Sequence, residues 1–367
     1  MKVAIDCRMK HGVATVVRNI VPHIASQVEA LYAMGDLQRF REWWPDDLGV
    51  RTVEFMAPVY GWREQLEYPL KRISDCHLLH VPHFNIPVRR LPFPLLVTIN
   101  DLAHLAGVLP MSWAHVQAAR LYYRHAVLRA EHITTLSEFS RKEIITKLNV
   151  NPAKITVIPC AVDHRKFFPA DESRIREVAD RLHICLPYLM ISGSVRPHKN
   201  VGRVLSAFKE LKTRNRIPHQ LVVVGEREGF RIRTEVPTLP DDVQSSIVFT
   251  GYINDDDMIA LYSGAEVFVY ASLYEGFGLP PLEAMACGAP VAVSRAASLP
   301  EVIGDAGVYF DPYSVSEIAD AMLSLIDNST KRCEAVAASL KRAQEFQWER
   351  SAQQYLQAYN HVLTART

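Results

Sequence analysis

The chain has 367 residues, 49% of them hydrophobic, with 41 basic and 40 acidic side chains and a net charge of +1. That length and apolar content exceed what one ordinary core takes, so two domains are expected. The balanced charge excludes a general electrostatic pull toward nucleic acid, and any polyanion must be held by a local cluster.

Short apolar runs recur as buried parallel strands would, at 2–6, 52–57, 77–82, 95–99, 132–136 and 155–159. A second set follows at 188–192, 220–225, 247–250, 266–270, 290–293 and 307–310. Helical spacing fills 13–30, 112–130, 138–148, 200–214, 255–263 and 314–327, and the chain beyond about 330 is helical. This is the βαβ rhythm of open parallel sheets, six strands in each, so the expected fold class is α/β with two doubly wound, Rossmann-like domains. Pro159 to Pro169 is polar and bounded by prolines, which places a hinge there. The expected domains are 1–165 and 166–345, with a closing helix at 346–367 packing back on the N-terminal domain.

The six cysteines, Cys7, Cys76, Cys160, Cys185, Cys287 and Cys333, form no Cys-x-x-Cys pair. They read as buried small hydrophobes in a reducing cytosol rather than as a zinc site or disulfide framework. Asp6 stands where a signal peptide needs its apolar stretch, and no run reaches the ~18 apolar residues of a membrane span, so a cytoplasmic protein is expected.

Ligands of open α/β sheets bind beyond the carboxyl ends of the strands, so chemistry is sought in those loops, in a cleft between facing domains. After 188–192 comes Ser192-Gly-Ser-Val-Arg-Pro-His-Lys-Asn200, with Gly193 at the turn, cations at Arg196 and Lys199, and a helix opening at Asn200 or Val201. Free helical N–H groups, a positive dipole end and two basic side chains suit an anion, the alternative being a solvated turn. After 266–270, Glu275-Gly-Phe-Gly-Leu-Pro-Pro-Leu-Glu283 puts Glu283 in the first turn of a helix opened by Pro280 or Pro281 and closed at Gly288. A carboxylate there can accept from paired hydroxyls, Gly276 and Gly278 let backbone N–H groups approach a ligand, and Glu275 is free to face the cleft. Gly12, before a helix near Val13, offers another close backbone approach.

Those loops carry a resemblance to glycosyltransferase family 4, retaining enzymes of the GT-B fold. It runs through Ser192-Gly193, Arg196, Lys199-Asn200, Gly251-Tyr252, Glu275 to Val291 and Leu299 to Gly307 in the C-terminal half. More loosely it includes Leu79 to Pro87, Thr135 to Arg141 and Ile155 to Pro159. The resemblance implies that Arg196 and Lys199 neutralise the diphosphate of a nucleotide sugar, with no metal or other cofactor. It implies that Glu283 holds the ribose and that Gly251-Tyr252 lies near the base. Glu275, with the backbone of Gly276, Phe277, Gly278 and Leu279, would hold donor-sugar hydroxyls. Ser192, Gly193 and Gly12 complete the donor side, and His83, Asn100 and Asp101 stand on the acceptor and sugar side. The family usually carries His-Asp where this chain has Asn100-Asp101, and asparagine can hydrogen-bond a hydroxyl but carries no proton or positive charge.

Asn254-Asp-Asp-Asp257 invites a metal reading, but its place before a helical stretch fits an N-cap and first turn better. His80, His83 and His104 show no metal spacing and read equally well as structural hydrogen-bonders. Trp113 to Arg129 is basic and aromatic, which suits peripheral contact with an anionic membrane as well as a solvated helix face.

The function expected from the resemblance is retaining, metal-independent transfer of a hexosyl unit in polysaccharide biosynthesis. Mannose from GDP-mannose is favoured, on the likeness of His83 to Pro87 and Leu299-Pro-Glu301 to mannosyl- or rhamnosyl-transferring members, and the acceptor is a glycan or a lipid-linked acceptor. The rival readings are a catalytically weak nucleotide-sugar-binding scaffold, or an epimerase or phosphorylase of the same fold.

Overall fold

A computed structural model of the chain describes residues 1–10, 12–193, 196–215, 217–225 and 237–364. His11, Ser194 and Val195, from loops singled out above, lie outside the described residues. Two units are distinguished: Met1–Ala106 with Met111–Ala161 and Gln347–Thr367, and Gly107–Pro110 with Val162–Phe346.

The first unit is built on β1 (Lys2–Asp6), β2 (Ala30–Gly35), β3 (Val50–Glu54), β4 (Leu78–Val81), β5 (Leu95–Thr98), β6 (His132–Thr135) and β7 (Ile155–Val157). All pair in parallel in the order β3-β2-β1-β4-β5-β6-β7. This is seven strands where six were expected. The added strand is β2, which the sequence reading had partly absorbed into a helix over 13–30; that helix is Gly12–Ala25. All six β2 residues are buried, with β1 and β3 paired along its edges and its faces covered within the unit. A central parallel strand reads as an unbroken apolar run, which periodicity cannot tell from a buried helix.

The second unit holds β8 (Tyr188–Ser192), β9 (Gln220–Val224), β10 (Ile247–Gly251), β11 (Val267–Tyr270), β12 (Val291–Ser294) and β13 (Gly307–Phe310). They too are all parallel, in the order β10-β9-β8-β11-β12-β13. Helices cover the strands' apolar side chains: Tyr123 and Ala126 join Leu79, Val97 and Ile133 in the first core, and Phe208 and Met322 join Leu189, Val223 and Val269 in the second.

Each strand order reverses direction once, between β1 and β4 and between β8 and β11. Connections leave opposite sides of the sheet at such a place, and the strand-end loops part to leave room for a ligand. The closing helix Trp348–Thr364 belongs to the first unit, where Ser351 Oγ donates to the Pro159 carbonyl at 2.7 Å and Tyr359 Oη lies 2.9 Å from His80 Nδ1. Not all cysteines are buried as expected. Cys185 and Cys333 are exposed, since one lies in a loop before β8 and the other on the outer side of the helix Ser329–Ala343.

Candidate functional site

The reversal point of the second sheet gathers the two loops that the sequence singled out. Beyond β8 the chain passes Gly193 at φ +147° and exposed Arg196, then makes a single 3₁₀ turn, Pro197–Lys199. Asn200 follows at φ +59°, a left-handed conformation that asparagine tolerates better than most residues, and the helix Val201–Glu210 begins. The Asn200 amide donates to the carbonyls of Ala271 (3.1 Å) and Pro312 (2.7 Å). The His198 carbonyl accepts from Leu273 N (2.7 Å) and Ser272 Oγ (3.2 Å). These bonds tie the loop after β8 to the loop after β11, although more than seventy residues separate them in the chain.

At their junction Lys199 Nζ donates to Glu275 Oε1 at 2.6 Å and to Tyr270 Oη at 2.7 Å, while Tyr270 Oη donates to the same Glu275 oxygen at 2.8 Å. The Lys199 and Glu275 side chains are each 15% exposed. Burial alone would raise the Glu275 carboxyl, but the Lys199 charge and hydrogen bonds, with those of Ser272 and Tyr270, outweigh it and hold it below its ordinary value. Burial first, and the Glu275 charge second, push the Tyr270 hydroxyl well up, so it stays a neutral donor. Glu275 is therefore not free, as the sequence reading expected. It is a fixed anion, because a carboxylate this buried beside a lysine is stable only when paired.

The turn after Glu275 is clamped by buried Ser298, whose Oγ is shared between the carbonyls of Glu275 (2.9 Å) and Phe277 (2.7 Å). Gly276 and Phe277 are buried, and Gly278 takes φ +124° with room for no side chain, since a Cβ would lie 2.8 Å from Leu299 Cδ2. The helix runs Leu279–Ala286, so Pro280 and Pro281 are its second and third residues and Glu283 its fifth. Glu283 thus lies past the first turn in which it was expected. The helix begins one residue ahead of the prolines, and the dipole's pull on Glu283 is correspondingly smaller. Gly288, at φ +83°, ends this helix as expected.

Ser192, at the end of β8, has its Oγ 3.3 Å from Tyr262 Oη. Gly251 ends β10 and Tyr252 follows it, two strands from β8 and so about 10 Å away at the usual strand spacing. Tyr252 is 92% exposed. Asn254 caps the helix Asp255–Gly264, its Oδ1 accepting from Asp257 N at 2.8 Å, and Asp257 pairs with Arg174 (3.0 Å) and Arg181 (2.6 Å). Among the described residues no group of three His, Cys, Asp or Glu side chains is gathered as a metal would need.

In the first unit, Gly12 opens the helix Gly12–Ala25 with open space where a Cβ would stand. Asn100 Nδ2 reaches the Pro82 carbonyl at 3.4 Å, and Asp101 Oδ1 accepts from Ala103 N at 2.9 Å. His80 is fully buried between Tyr359 and Thr98, a structural hydrogen-bonder. His83, also buried, lies 3.2 Å from Tyr60 Oη, and burial, helped by His104 and Arg8, holds its pKa down at about 3. The sequence reading missed Tyr270, Ser298, Arg8 and Glu64. Tyr270 had one local signal, its place as the last residue of a strand that ends at the site.

Residues 186–342 match the family model described as glycosyl transferases group 1, and residues 11–166 the model described as Glycosyltransferase Family 4. O-antigen chain mannosyltransferase B of Escherichia coli is 35% identical over 243 residues, 63% of this chain and 60% of that protein. Serotype-specific mannosyltransferase WbdA of Escherichia coli is 30% identical over 239 residues, 64% of this chain and 29% of that protein. The matched region thus spans less than two thirds of the length of either relative. Anabaena HepE, solved in complex with UDP-glucose, superposes with a TM-score of 0.75 at 15% identity, covering 98% of this chain and 100% of that one. With two parallel α/β domains of seven and six strands, matched in turn by two adjoining family models, the chain belongs to the family 4 glycosyltransferases of the GT-B fold.

Proposed function

We propose that the protein is a metal-independent, retaining glycosyltransferase of polysaccharide biosynthesis that moves a mannosyl unit from GDP-mannose to a glycan or lipid-linked glycan. The observation that carries this is the Lys199–Glu275–Tyr270 cluster at the reversal point of the second sheet, in a chain whose curated relatives include mannosyltransferases. An ammonium has three donors, and Glu275 and Tyr270 take two of them. The third serves a phosphate oxygen, and exposed Arg196 brings a fork-shaped donor set to the same diphosphate.

In this reading the leaving nucleotide's charge is stabilised by fixed cations, the acceptor hydroxyl attacks on the face that the phosphate leaves, and that phosphate takes the proton. Glu283 holds the ribose, Glu275 and the backbone from Gly276 to Leu279 hold the donor sugar, and Tyr252 lies toward the base. His83 is neutral at working pH and Asn100 is unionisable, so neither supplies a positive charge. Peripheral membrane contact belongs to the same reading. The helix Trp113–Arg129 exposes Trp113, Arg120, Leu121, Arg124 and Leu128, an apolar and basic set suited to anionic lipid. Among the described residues no helix is long and apolar enough to cross a membrane.

A thermal-shift panel of GDP-, UDP-, dTDP- and ADP-sugars, with and without magnesium, tests the donor, since a ligand at ~100 times its Kd stabilises by about 2.7 kcal/mol. A shift with GDP-mannose that magnesium does not alter is the expected result. A shift with UDP-sugars alone would remove the mannose assignment, and no shift with any would remove the transfer reading. The anomeric configuration of the product, read by NMR, tests retention.

A further inference from the structure

The reversal point of the first sheet carries a buried ionic network that the proposed chemistry does not use. Beyond β1, the Arg8 guanidinium grips Asp6 through Nε (2.9 Å) and Nη2 (2.6 Å), Glu64 Oε1 (2.5 Å) and the Ala57 carbonyl (3.0 Å), and stacks 3.8 Å over the Phe55 ring. The Asp6, Arg8 and Glu64 side chains are 4%, 6% and 2% exposed. Three desolvated charges are a weak source of stability, so the value of the network lies in what it positions.

What it positions is Tyr60. Glu64 Oε2 accepts from the Tyr60 backbone N–H at 3.1 Å and from Asn85 Nδ2 at 2.6 Å. Tyr60 is held at φ +68°, a conformation that a bulky residue adopts only under constraint and that collects at functional sites. Beyond β4, the Asn85 backbone N–H donates to His83 Nδ1 at 3.2 Å. The proton of the neutral imidazole therefore sits on Nε2, which faces Tyr60 Oη at 3.2 Å. The tyrosine oxygen accepts, and among the described residues its own hydrogen is left to donate. Tyr60 is 49% exposed, its ring edge-on to Tyr122 at 6.0 Å, and Trp62 is 74% exposed.

We propose that Tyr60 recognises the acceptor, its half-exposed ring and the hydrogen its hydroxyl has left to donate binding a pyranose of the acceptor glycan, with Arg8, Glu64, Asn85 and His83 as positioning residues. The proposal rests on the glycan-acceptor reading above. A pyranose has an apolar C–H face and a rim of hydroxyls, and a rigid aromatic with a polar tip complements both.

The test titrates the full-length protein with α-1,3-mannobiose, followed by saturation-transfer NMR, for the native chain, Tyr60→Phe, Tyr60→Ala and Glu64→Gln, with circular dichroism as the check on folding. Tyr60→Phe, which removes one hydrogen bond from an exposed side chain, weakens binding about fivefold. Tyr60→Ala removes the ring as well and weakens it by roughly tenfold or more. In transfer assays Glu64→Gln raises the acceptor KM while the donor KM stays at the native value, a split that general destabilisation would not produce. If Glu64→Gln does not fold, Tyr60→Phe alone decides. Equal mannobiose binding by the native chain and Tyr60→Phe, or no binding by the native chain, overturns the proposal. The nucleotide-sugar thermal shift is read on the same samples, so loss of the transfer reading is seen separately.

Discussion

Replacing Lys199 by methionine tests whether the Lys199–Glu275 pair is a structural element, apart from the donor-binding role proposed for it. The two charges are 2.6 Å apart and their side chains 15% exposed, so little water reaches them. Removing one partner from a buried pair costs about 3–5 kcal/mol, because the other charge is left uncompensated. Tyr270 still donates to Glu275 at 2.8 Å, and methionine refills most of the lysine stem's volume. The low end of the range therefore applies, about 3 kcal/mol, which in a unit of this size lowers its melting transition by about 6–12 °C. The pH dependence is equally specific. The folded carboxyl of Glu275 titrates below its ordinary value of 4.5, so the pair's contribution is complete above that pH and is lost as pH falls through the lower folded value. The gap between the native chain and Lys199→Met is widest near neutrality and narrows as pH falls and the carboxylate is neutralised, first in the variant, where Lys199 no longer offsets burial, and then in the native chain. Scanning calorimetry across this range is the assay. A variant melting within about 2 °C of the native chain at neutral pH, or a gap that does not change with pH, would refute the reasoning.

Gly278→Ala forces a Cβ to within 2.8 Å of Leu299 Cδ2 at φ +124°, and urea unfolding should show a loss of about 2 kcal/mol. Asp257→Ala removes a carboxylate that is 4% exposed and bridges Arg174 and Arg181. Those arginines are 38% and 50% exposed and can turn to water, so the expected loss in urea unfolding is only about 2 kcal/mol. Burial lowers His80 and His83 to about 3 and His132 and His198 to about 4, so all four stay neutral in the folded chain between pH 8 and 5 and their NMR signals should not titrate there. Because the unfolded chain takes up these protons first, stability is complete above about pH 6.5 and falls below it, by about 2 kcal/mol on reaching pH 5 for each of the deeply buried His80 and His83.

Much of the fold was legible because a parallel sheet writes itself as apolar runs bounded by turn residues. The six strands of the second unit, the N-cap at Asn254 and the helix stop at Gly288 are all local patterns. β2 was missed for the same physical reason: Ala30–Gly35, buried on both faces, has no alternation to distinguish it from the preceding helix. The prolines at 280 and 281 signalled a helix start but not its first residue, which moved Glu283 out of the first turn.

By itself the sequence determined two α/β units and which strand-end loops hold the charged and glycine-rich segments, since apolar periodicity and turn chemistry act over a few residues. Only the tertiary structure decided what those charges meet. The β8–β11 adjacency brings Lys199 onto Glu275 and Tyr270, and the β1–β4 adjacency brings Arg8 onto Glu64 and Glu64 onto Asn85. Such partners lie tens of residues apart in the chain, and it is strand order, set by how whole layers bury their apolar faces, that makes them neighbours.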